Sequence, residues 1–393
     1  MAEGDQEGKL LGSADPLNII NGDHENRANL PVTSSLPMNG GNGTYSYSKN
    51  SYYQKQSAGV EREKIIEEIR EKLDMKTLSS VSNTIRLADL GCATGQNTFM
   101  TIQTILEAMQ RKYKSQISQS CPHDSDDQMP EFQVFFNDLE SNDFNTLFTS
   151  LPQDRQYLAA GVPGSFHGRL FPESSIHFVH TSFSLHWLSK LPEELQNKAS
   201  PAWNKGRVHY TSAPNEVIEA YACQFAEDME RFLNARAKEL VPQGMMVMIM
   251  TGIPKGMPCS QIPTGMLYDS ISSSLMDMAK EGIIEEGEVD SFNLAFYAAS
   301  PEEMAGIVEK NGYFGIERME LTNPAAWMKG PVDIPSLVTH VRAAMEGMFS
   351  RHFGSLVMDE LFGRLTHKLQ DISDLINSTC HEKVQLFAVL KRK

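Results

Sequence analysis

Apolar and polar residues alternate along the chain with two different periods. From Val60 to Met75, apolar side chains recur at helical spacing among Glu, Arg and Lys, which predicts an amphipathic helix. The short apolar run from Ile85 to Leu90 predicts a buried strand, and a second helix is predicted from about Thr98 to Lys112. Later apolar runs predict further strands at 132–136, 175–180, 245–250, 314–321 and 384–390.

Longer helical segments separate the later strands. One is predicted from Glu216 to Leu240, and others at about 264–281, 301–312 and 333–373. Strands alternating with helices indicate an α/β fold with a largely parallel central sheet. Because these helices exceed what covers one sheet, we expect a helical cap built mainly from about 187–215, 255–312 and 325–375.

Two polar segments interrupt this alternation. Residues 1–36 are rich in Gly, Asn, Asp and Ser, which predicts a disordered extension before a single domain at 37–393. The extension has neither the basic, apolar start of a signal peptide nor the Arg-rich composition of a transit peptide. Residues 114–131 are rich in Ser, Asp and other polar residues and are expected to form a long surface loop.

Charge and cysteine usage narrow the possible function classes. The 393 residues include 35 Lys and Arg against 50 Asp and Glu, and the net charge of −15 disfavours nucleic acid or an anionic membrane as a partner. Apolar runs are all shorter than a membrane span. The five cysteines are scattered without a CxxC pair, which favours reduced thiols in a cytoplasmic protein over a disulfide framework.

The first predicted strand ends in a glycine-containing turn that leads into the next helix. Its sequence, Asp-Leu-Gly-Cys-Ala-Thr-Gly at 89–95, permits close backbone approach to a ligand at the helix N-terminus. A dinucleotide site would require GxGxxG, whereas this spacing fits the loop of a class I methyltransferase better. A plain strand-turn-helix connection remains an alternative. Asp138 ends the second strand, where it could bind both hydroxyls of a ribose or cap a helix.

A series of short motifs follows the order and spacing of one enzyme family. The motifs include Met-Asn-Gly-Gly at 38–41, Ser-Tyr-Ser-Lys-Asn-Ser at 46–51, Asp-Leu-Gly-Cys at 89–92, Phe-Asn-Asp-Leu at 136–139, Gly-Val-Pro-Gly-Ser-Phe at 161–166, Ser-Leu-His-Trp-Leu-Ser at 184–189, Asn-Lys-Gly at 204–206 and Asp-Ser-Phe-Asn at 290–293. Together they resemble the SABATH family of plant S-adenosylmethionine-dependent methyltransferases. The resemblance covers roughly residues 38–391 and implies a Rossmann-like class I core, an α-helical cap and a homodimer.

The resemblance implies a binding site for S-adenosylmethionine. The positions that match the family's cofactor contacts are Tyr47, Cys92, Asn97, Asp138, Leu139, Ser165 and Phe166. Asp138 would hold the ribose, and Ser165 and Phe166 would frame the adenine. Taken without the motif, Ser165 would be a turn residue and Phe166 a core residue.

The resemblance also implies an acceptor site for a carboxylic acid. A carboxylic acid is already ionised at pH 7, so methyl transfer needs positioning and exclusion of water rather than a general base. The side-chain amide of Gln54 and the indole N–H of Trp187 match the donors that hold the carboxylate. His186, Phe183 and Tyr268 would line the pocket, although His186 alone could also be a buried core histidine.

Some family members hold a magnesium-like ion near the site. The matching oxygen donors are Asn204, Asp290, the backbone carbonyl of Phe292, and Asn293. A polar turn network without an ion explains these residues equally well. The chain departs from the family at Asn39, where many members have Lys, and at His186, where salicylate-type members usually have Met. Both differences point away from salicylate.

The sequence therefore predicts an enzyme that transfers a methyl group from S-adenosylmethionine to a small plant acid of the jasmonate or loganate type. The product would be a methyl ester. One alternative is an N-methyltransferase of a purine-like heterocycle, as in the caffeine branch of the family. Another is a non-catalytic protein that binds a small acid. Gln54 and Trp187 favour the carboxylate.

Overall fold

A seven-stranded mixed sheet organises the part of the chain that the computed structural model describes, residues 38–80, 82–120 and 129–393. The predicted extension at 1–36 lies outside these residues. The strand order is β3-β2-β1-β4-β5-β7-β6, and β7 runs antiparallel to both of its neighbours. The strands are β1 (Thr84–Leu90), β2 (Glu131–Asp138), β3 (Leu158–Pro163), β4 (Ile176–Ser182), β5 (Leu240–Thr251), β6 (Phe314–Thr322) and β7 (Gln385–Arg392).

Helices surround this sheet and extend beyond it. In chain order they are α1 (Tyr47–Asn50), α2 (Tyr52–Val60), α3 (Arg62–Lys72), α4 (Met75–Ser79), α5 (Gln96–Ser120), α6 (Phe144–Thr149), α7 (Asn215–Glu239), α8 (Pro263–Lys280), α9 (Glu286–Ser291), α10 (Pro301–Asn311), α11 (Ile334–Phe353), α12 (Met358–Asp371) and α13 (Ser373–Thr379). Within the described ranges, no helix is long and apolar enough to cross a membrane.

Both faces of the sheet are covered by helices. Val247 of β5 packs with α3 and α5, whereas Met246, one residue earlier, packs with α7 on the opposite face. Because strands of a largely parallel sheet are buried on both sides, they form continuous apolar runs rather than alternating ones. This explains why 245–250 was recognisable as a strand from the sequence.

A third apolar cluster joins helices that lie beyond the sheet. It includes Leu275 of α8, Val289 of α9, Phe349 of α11 and Phe362 of α12, all of them buried. The sequence predicted more helices than one sheet needs and assigned the additional ones to a cap, and these helices are among them. The residue limits of that cap remain a prediction.

Helix α10 lies within the range 255–312 that the sequence assigned mainly to the cap, but it packs against the sheet layer. Met304 and Val308 of α10 belong to the apolar cluster of the sheet, and α10 packs against α7 and β6. An amphipathic period identifies the buried face of a helix but not the layer against which that face packs.

Two other local predictions need correction, and one strand was missed. Helix α5 continues to Ser120 and thus through part of the predicted loop at 114–131, whose residues 121–128 lie outside the described structure. The predicted helix at 333–373 is divided at Gly354, which has a φ of +87°. Strand β3 was not predicted, because every residue of this short edge strand is partly or fully exposed.

Candidate active site

The glycine turn after β1 is fixed against the end of β2. The backbone N–H groups of Gly91 and Cys92 both donate to the carbonyl of Asn137, at 2.9 and 3.0 Å. Gly91 has a φ of +79°, and a Cβ atom at this position would lie 1.9 Å from the Oγ atom of Ser184. Only glycine fits this turn, because both its conformation and the close approach of Ser184 exclude a side chain.

Asp138 lies beside the same turn at the end of β2. Its Oδ2 atom accepts a hydrogen bond from the Ala93 N–H at 2.8 Å, and its Oδ1 atom accepts one from the Leu139 N–H at 2.8 Å. Burial raises the pKa of Asp138, and burial together with the Asp138 charge raises the pKa of Tyr47. Since a carboxylate has about four lone-pair positions, Asp138 can still accept hydrogen bonds from a ribose.

The loop that carries Ser165 and Phe166 is held next to Asp138. The Nδ2 atom of Asn137 donates to the carbonyls of Val162 and Gly164 at 2.7 and 2.8 Å, and the Gly164 N–H donates to the Asp138 carbonyl at 2.9 Å. The sequence placed Ser165 and Phe166 in the cofactor site only through their motif. These backbone contacts give the physical reason for their position.

A buried ion pair on α7, between Arg236 and Glu239, contacts the loop that carries Ser165 and Phe166. The sequence did not indicate this contact. Arg236 donates through Nε to Glu239 at 2.7 Å, and through its two Nη atoms to the carbonyls of Phe166 and Gly168 at 2.8 Å each. Glu239 in turn accepts hydrogen bonds from the N–H groups of Leu170 and Phe171. Spacing along α7 shows that Arg236 and Glu239 can pair, but not that they face this loop.

A cavity at the carboxyl end of β1 brings several predicted residues together. The cavity-lining residues from the predicted set are Tyr47, Gln54, Cys92, Asn97 and Phe183. Ligands of open α/β sheets bind at the carboxyl ends of the strands, so the cavity lies where the fold predicts a cofactor.

The same cavity is lined by polar atoms that lack an internal partner. Among the residues described, Gln54 Oε1, His180 Nε2 and Ser182 Oγ are buried and make no hydrogen bond. Buried polar atoms are rarely left without a hydrogen bond in a folded protein. At a binding site, a polar ligand can supply the missing partner. The sequence did not single out His180 or Ser182, because they lie in an apolar strand motif.

Three of the predicted acceptor residues, His186, Trp187 and Tyr268, pack around the ring of Phe296. The ring centroid of Phe296 lies 4.4 Å from that of His186, 5.4 Å from that of Trp187 and 5.3 Å from that of Tyr268. Phe183 connects this cluster to the cavity, with its ring 6.2 Å from that of His186. Phe296 was not predicted, because it lies outside the recognised motifs.

His186 is a neutral member of this cluster. Its Nδ1 atom accepts a hydrogen bond from the Thr251 N–H at 3.2 Å, so the proton of the neutral ring is on Nε2. Burial lowers the pKa of His186 to about 3. At neutral pH this side chain can therefore donate a hydrogen bond but contributes no charge.

The segment before α1 contacts helix α11. The Asn39 N–H donates to the Ala343 carbonyl at 3.1 Å, and Asn39 Nδ2 lies 3.3 Å from Glu346 Oε2. Asn39 thus donates to a carboxylate of the protein, where many family members carry a lysine. This contact gives Asn39 a structural role and assigns it none toward an acceptor.

The predicted metal ligands are close to one another but already hydrogen-bonded. Asn204 Nδ2 donates to Asn293 Oδ1 at 2.7 Å, and the Gly206 N–H donates to Asp290 Oδ1 at 2.8 Å. Within the described ranges, Asn204 Oδ1 is buried without a partner, and no three His, Cys, Asp or Glu residues form a metal-binding group. Asn204 Oδ1 is thus the one buried side-chain oxygen of this described set without a partner, and Asp290 supplies the one carboxylate. Such a set is more typical of a polar turn network than of a site for a divalent cation.

Comparison with known proteins identifies the family. Residues 33–393 match the family model described as SAM dependent carboxyl methyltransferase. The chain belongs to this family of carboxyl methyltransferases. It is 44% identical to loganic acid O-methyltransferase of Catharanthus roseus, over 91% of this chain and 94% of the relative.

A solved structure and a second relative extend the comparison. The structure of a loganic acid methyltransferase with SAH has a TM-score of 0.85 and 43% identity, and covers 91% of this chain and 99% of that protein. A 3,7-dimethylxanthine N-methyltransferase of Camellia sinensis var. assamica is 36% identical, over 88% of this chain and 93% of the relative. The predicted Rossmann-like class I fold and the dependence of the methyltransferase on S-adenosylmethionine are confirmed. The individual site residues remain predictions.

Proposed function

We propose that this methyltransferase esterifies the carboxylate of a small plant acid of the jasmonate or loganate type. One observation carries the proposal: Gln54, the candidate carboxylate donor, lines the same cavity as the cofactor candidates Tyr47, Cys92 and Asn97. An acid held by Gln54 would therefore lie beside the cofactor. The similarity to a loganic acid O-methyltransferase supports an acid of that general type.

The bound cofactor would supply an electrophilic methyl group on a sulfonium. Asp138 and the loop at 165–166 would hold its nucleoside, and the protein's remaining task is to orient the acid and exclude water. Gln54 and Trp187 would orient the carboxylate through neutral N–H groups, which leave it free of a strong ion pair that would weaken the nucleophile. Phe296 and Tyr268 would exclude water from the reacting atoms.

The second candidate function is N-methylation of a purine-like heterocycle. The specific observation in its favour is the 36% identity to a dimethylxanthine N-methyltransferase. A xanthine nitrogen carries less negative charge than a carboxylate, so it would not need two N–H donors at Gln54 and Trp187. A non-catalytic acid-binding protein would bind S-adenosylmethionine without turnover.

The test is an acceptor panel with methyl-labelled S-adenosylmethionine. The panel contains loganate, jasmonate, farnesoate, indole-acetate, salicylate, benzoate and cinnamate, with xanthine and 3,7-dimethylxanthine as heterocycles. We expect a labelled methyl ester from at least one acid and no labelled xanthine. Methylation of a xanthine alone would refute the carboxylate proposal, and cofactor binding without any product would favour the binding protein.

Three further proposals concern the state of the enzyme. Reduced, scattered cysteines favour the cytoplasm, and the family resemblance favours a homodimer. Light scattering would measure the oligomeric state directly. A magnesium-like ion at Asn204, Asp290, Phe292 and Asn293 has weak support, and we give it no role in methyl transfer. Activity that is unchanged by a chelator is the expected result.

A further inference from the structure

The side chain of Gln54 contacts a histidine from a distant helix. The Nε2 atom of Gln54 on α2 lies 2.6 Å from the Nε2 atom of His340 on α11. On its other side, His340 Nδ1 lies 2.9 Å from the backbone carbonyl of Asn50. His340 therefore connects the backbone at the last residue of α1 to the side chain that lines the cavity.

The Asn50 carbonyl determines which nitrogen of His340 carries the proton. A carbonyl oxygen can only accept, so the 2.9 Å contact requires the proton to be on Nδ1. Burial lowers the pKa of His340, which favours the neutral ring over the imidazolium. In the neutral ring, Nε2 then carries a lone pair and can only accept a hydrogen bond.

This tautomer determines which way the amide of Gln54 faces. An accepting Nε2 requires an N–H of Gln54 opposite it, as the 2.6 Å contact between the two nitrogens shows. The reversed amide would place two lone pairs, those of Gln54 Oε1 and His340 Nε2, against each other. One N–H of the Gln54 amide is donated to His340, so its second N–H and its Oε1 atom remain available. Oε1 has no hydrogen-bond partner in the described part of the protein.

We propose that His340 is a positioning residue for the acceptor, because its hydrogen bond fixes the orientation of the Gln54 amide and directs a single N–H at the carboxylate. This inference rests on the proposed function, in which Gln54 binds the acid. One N–H can hold only one carboxylate oxygen, so the other oxygen needs a second donor from the protein. His340 itself does not touch the acceptor.

Three substitutions separate positioning from packing. In His340→Gln, Oε1 can replace the accepting Nε2 and hold the Gln54 amide. In His340→Asn, the shorter amide can replace only the N–H that donates to the Asn50 carbonyl. In His340→Leu, the side chain can form neither the hydrogen bond to Asn50 nor the one to Gln54. His367→Gln, at an exposed position on α12, is the matched control.

The measurements are steady-state kinetics with the panel acid of fastest turnover, and calorimetric binding of S-adenosylhomocysteine. We expect kcat/KM for the acid to fall about ten-fold in His340→Asn and His340→Leu, and to stay within about three-fold in His340→Gln. S-adenosylhomocysteine affinity should be unchanged in all variants. Equal activity of the Asn and Gln variants, or a parallel loss of S-adenosylhomocysteine binding in all three, would overturn the proposal.

A spectroscopic measurement on the unaltered enzyme needs no turnover. Long-range ¹⁵N–¹H spectra of histidine-labelled protein distinguish the two neutral tautomers, and the His340 signals are assigned by their loss in His340→Gln. We expect the proton on Nδ1, and a proton on Nε2 would refute the inference whatever the activity of the variants. If no acid is methylated, the proposed function fails while this readout still decides the tautomer.

Discussion

Asp89 and His180 face each other on neighbouring strands at the base of the cavity, with Asp89 Oδ1 2.6 Å from His180 Nδ1. The second oxygen of Asp89 accepts a hydrogen bond from the hydroxyl of Thr98. Both Asp89 and His180 are almost completely buried. The acidic residue of the glycine motif is therefore held in place by a side chain of β4.

Replacing His180 with Phe should destabilise the protein. The change keeps an aromatic ring in the core but leaves Asp89 Oδ1 buried without its donor, which costs roughly 1–3 kcal/mol of unfolding free energy. Urea denaturation measures the loss, and His367→Phe on the surface is the control. An Asp89→Asn background should reduce the effect of His180→Phe, because the buried charge is then absent. Equal effects in both backgrounds would show that the two side chains are not coupled.

The sequence predicts the parts of this protein that depend on local pattern. Apolar runs identified six of the seven strands of the described sheet, and the motifs identified the cavity residues Tyr47, Gln54 and Cys92. The contact of Gln54 with His340 joins residues 286 positions apart, and no local pattern reports such a pair. Phe296 was missed for the same reason, since its role depends on which rings the folded chain brings around it.

Asp138→Ala should lose the cofactor with little effect on the acceptor site. The alanine removes the acceptor of two backbone N–H groups and of the proposed ribose contacts, so S-adenosylhomocysteine affinity should fall about 100-fold. Asp154→Asn, at an exposed position, should bind normally. Unchanged affinity in Asp138→Ala would refute the ribose assignment.

Lowering the pH should also weaken cofactor binding at Asp138. Because burial raises the pKa of Asp138, its carboxylate becomes protonated at a higher pH than an ordinary aspartate. Protonation removes an acceptor, so affinity should decline as pH falls toward that raised pKa. Calorimetric titrations of S-adenosylhomocysteine across the acidic range test this, and affinity that is constant down to the ordinary aspartate pKa would contradict it.

Arg236→Lys should weaken the loop that carries Ser165 and Phe166. Lysine keeps the charge beside Glu239 but cannot reproduce the fork of hydrogen bonds to two backbone carbonyls. We expect KM for S-adenosylmethionine to rise about ten-fold and unfolding free energy to fall by about 2 kcal/mol. Arg231→Lys on the same helix, where the arginine is half-exposed, is the control. Lower stability with an unchanged KM would show that the loop keeps its shape without Arg236.

Mild acid should destabilise the enzyme through its buried histidines. Burial lowers the pKa of His177 to about 4 and the pKa values of His186 and His209 to about 3, against 6.5 in the unfolded chain. The unfolded state thus binds more protons below pH 6.5, and stability falls as pH decreases toward the folded-state values. Each histidine adds up to about 1.4 kcal/mol per pH unit to the slope of the unfolding free energy against pH.

A single substitution tests this dependence. His186→Met removes one of the three groups, so the slope of unfolding free energy between pH 6 and pH 5 should decrease by about 1 kcal/mol per pH unit. Urea denaturation at each pH provides the slope for both proteins. The control is the same substitution at His367, an exposed position on α12.

Trp187→Phe should separate acceptor orientation from aromatic packing. Phenylalanine can keep the contact with Phe296, whose ring lies edge-on to Trp187 at 5.4 Å, but it lacks the indole N–H. Since the other carboxylate oxygen would lose its donor, kcat/KM for the acid should fall about ten-fold while S-adenosylhomocysteine affinity stays within about two-fold. Trp203→Phe, which removes an indole outside the aromatic cluster, should leave both parameters unchanged. Full activity in Trp187→Phe would mean that the second donor is a different group, and His186 Nε2–H, in the same aromatic cluster, would be the next one to test.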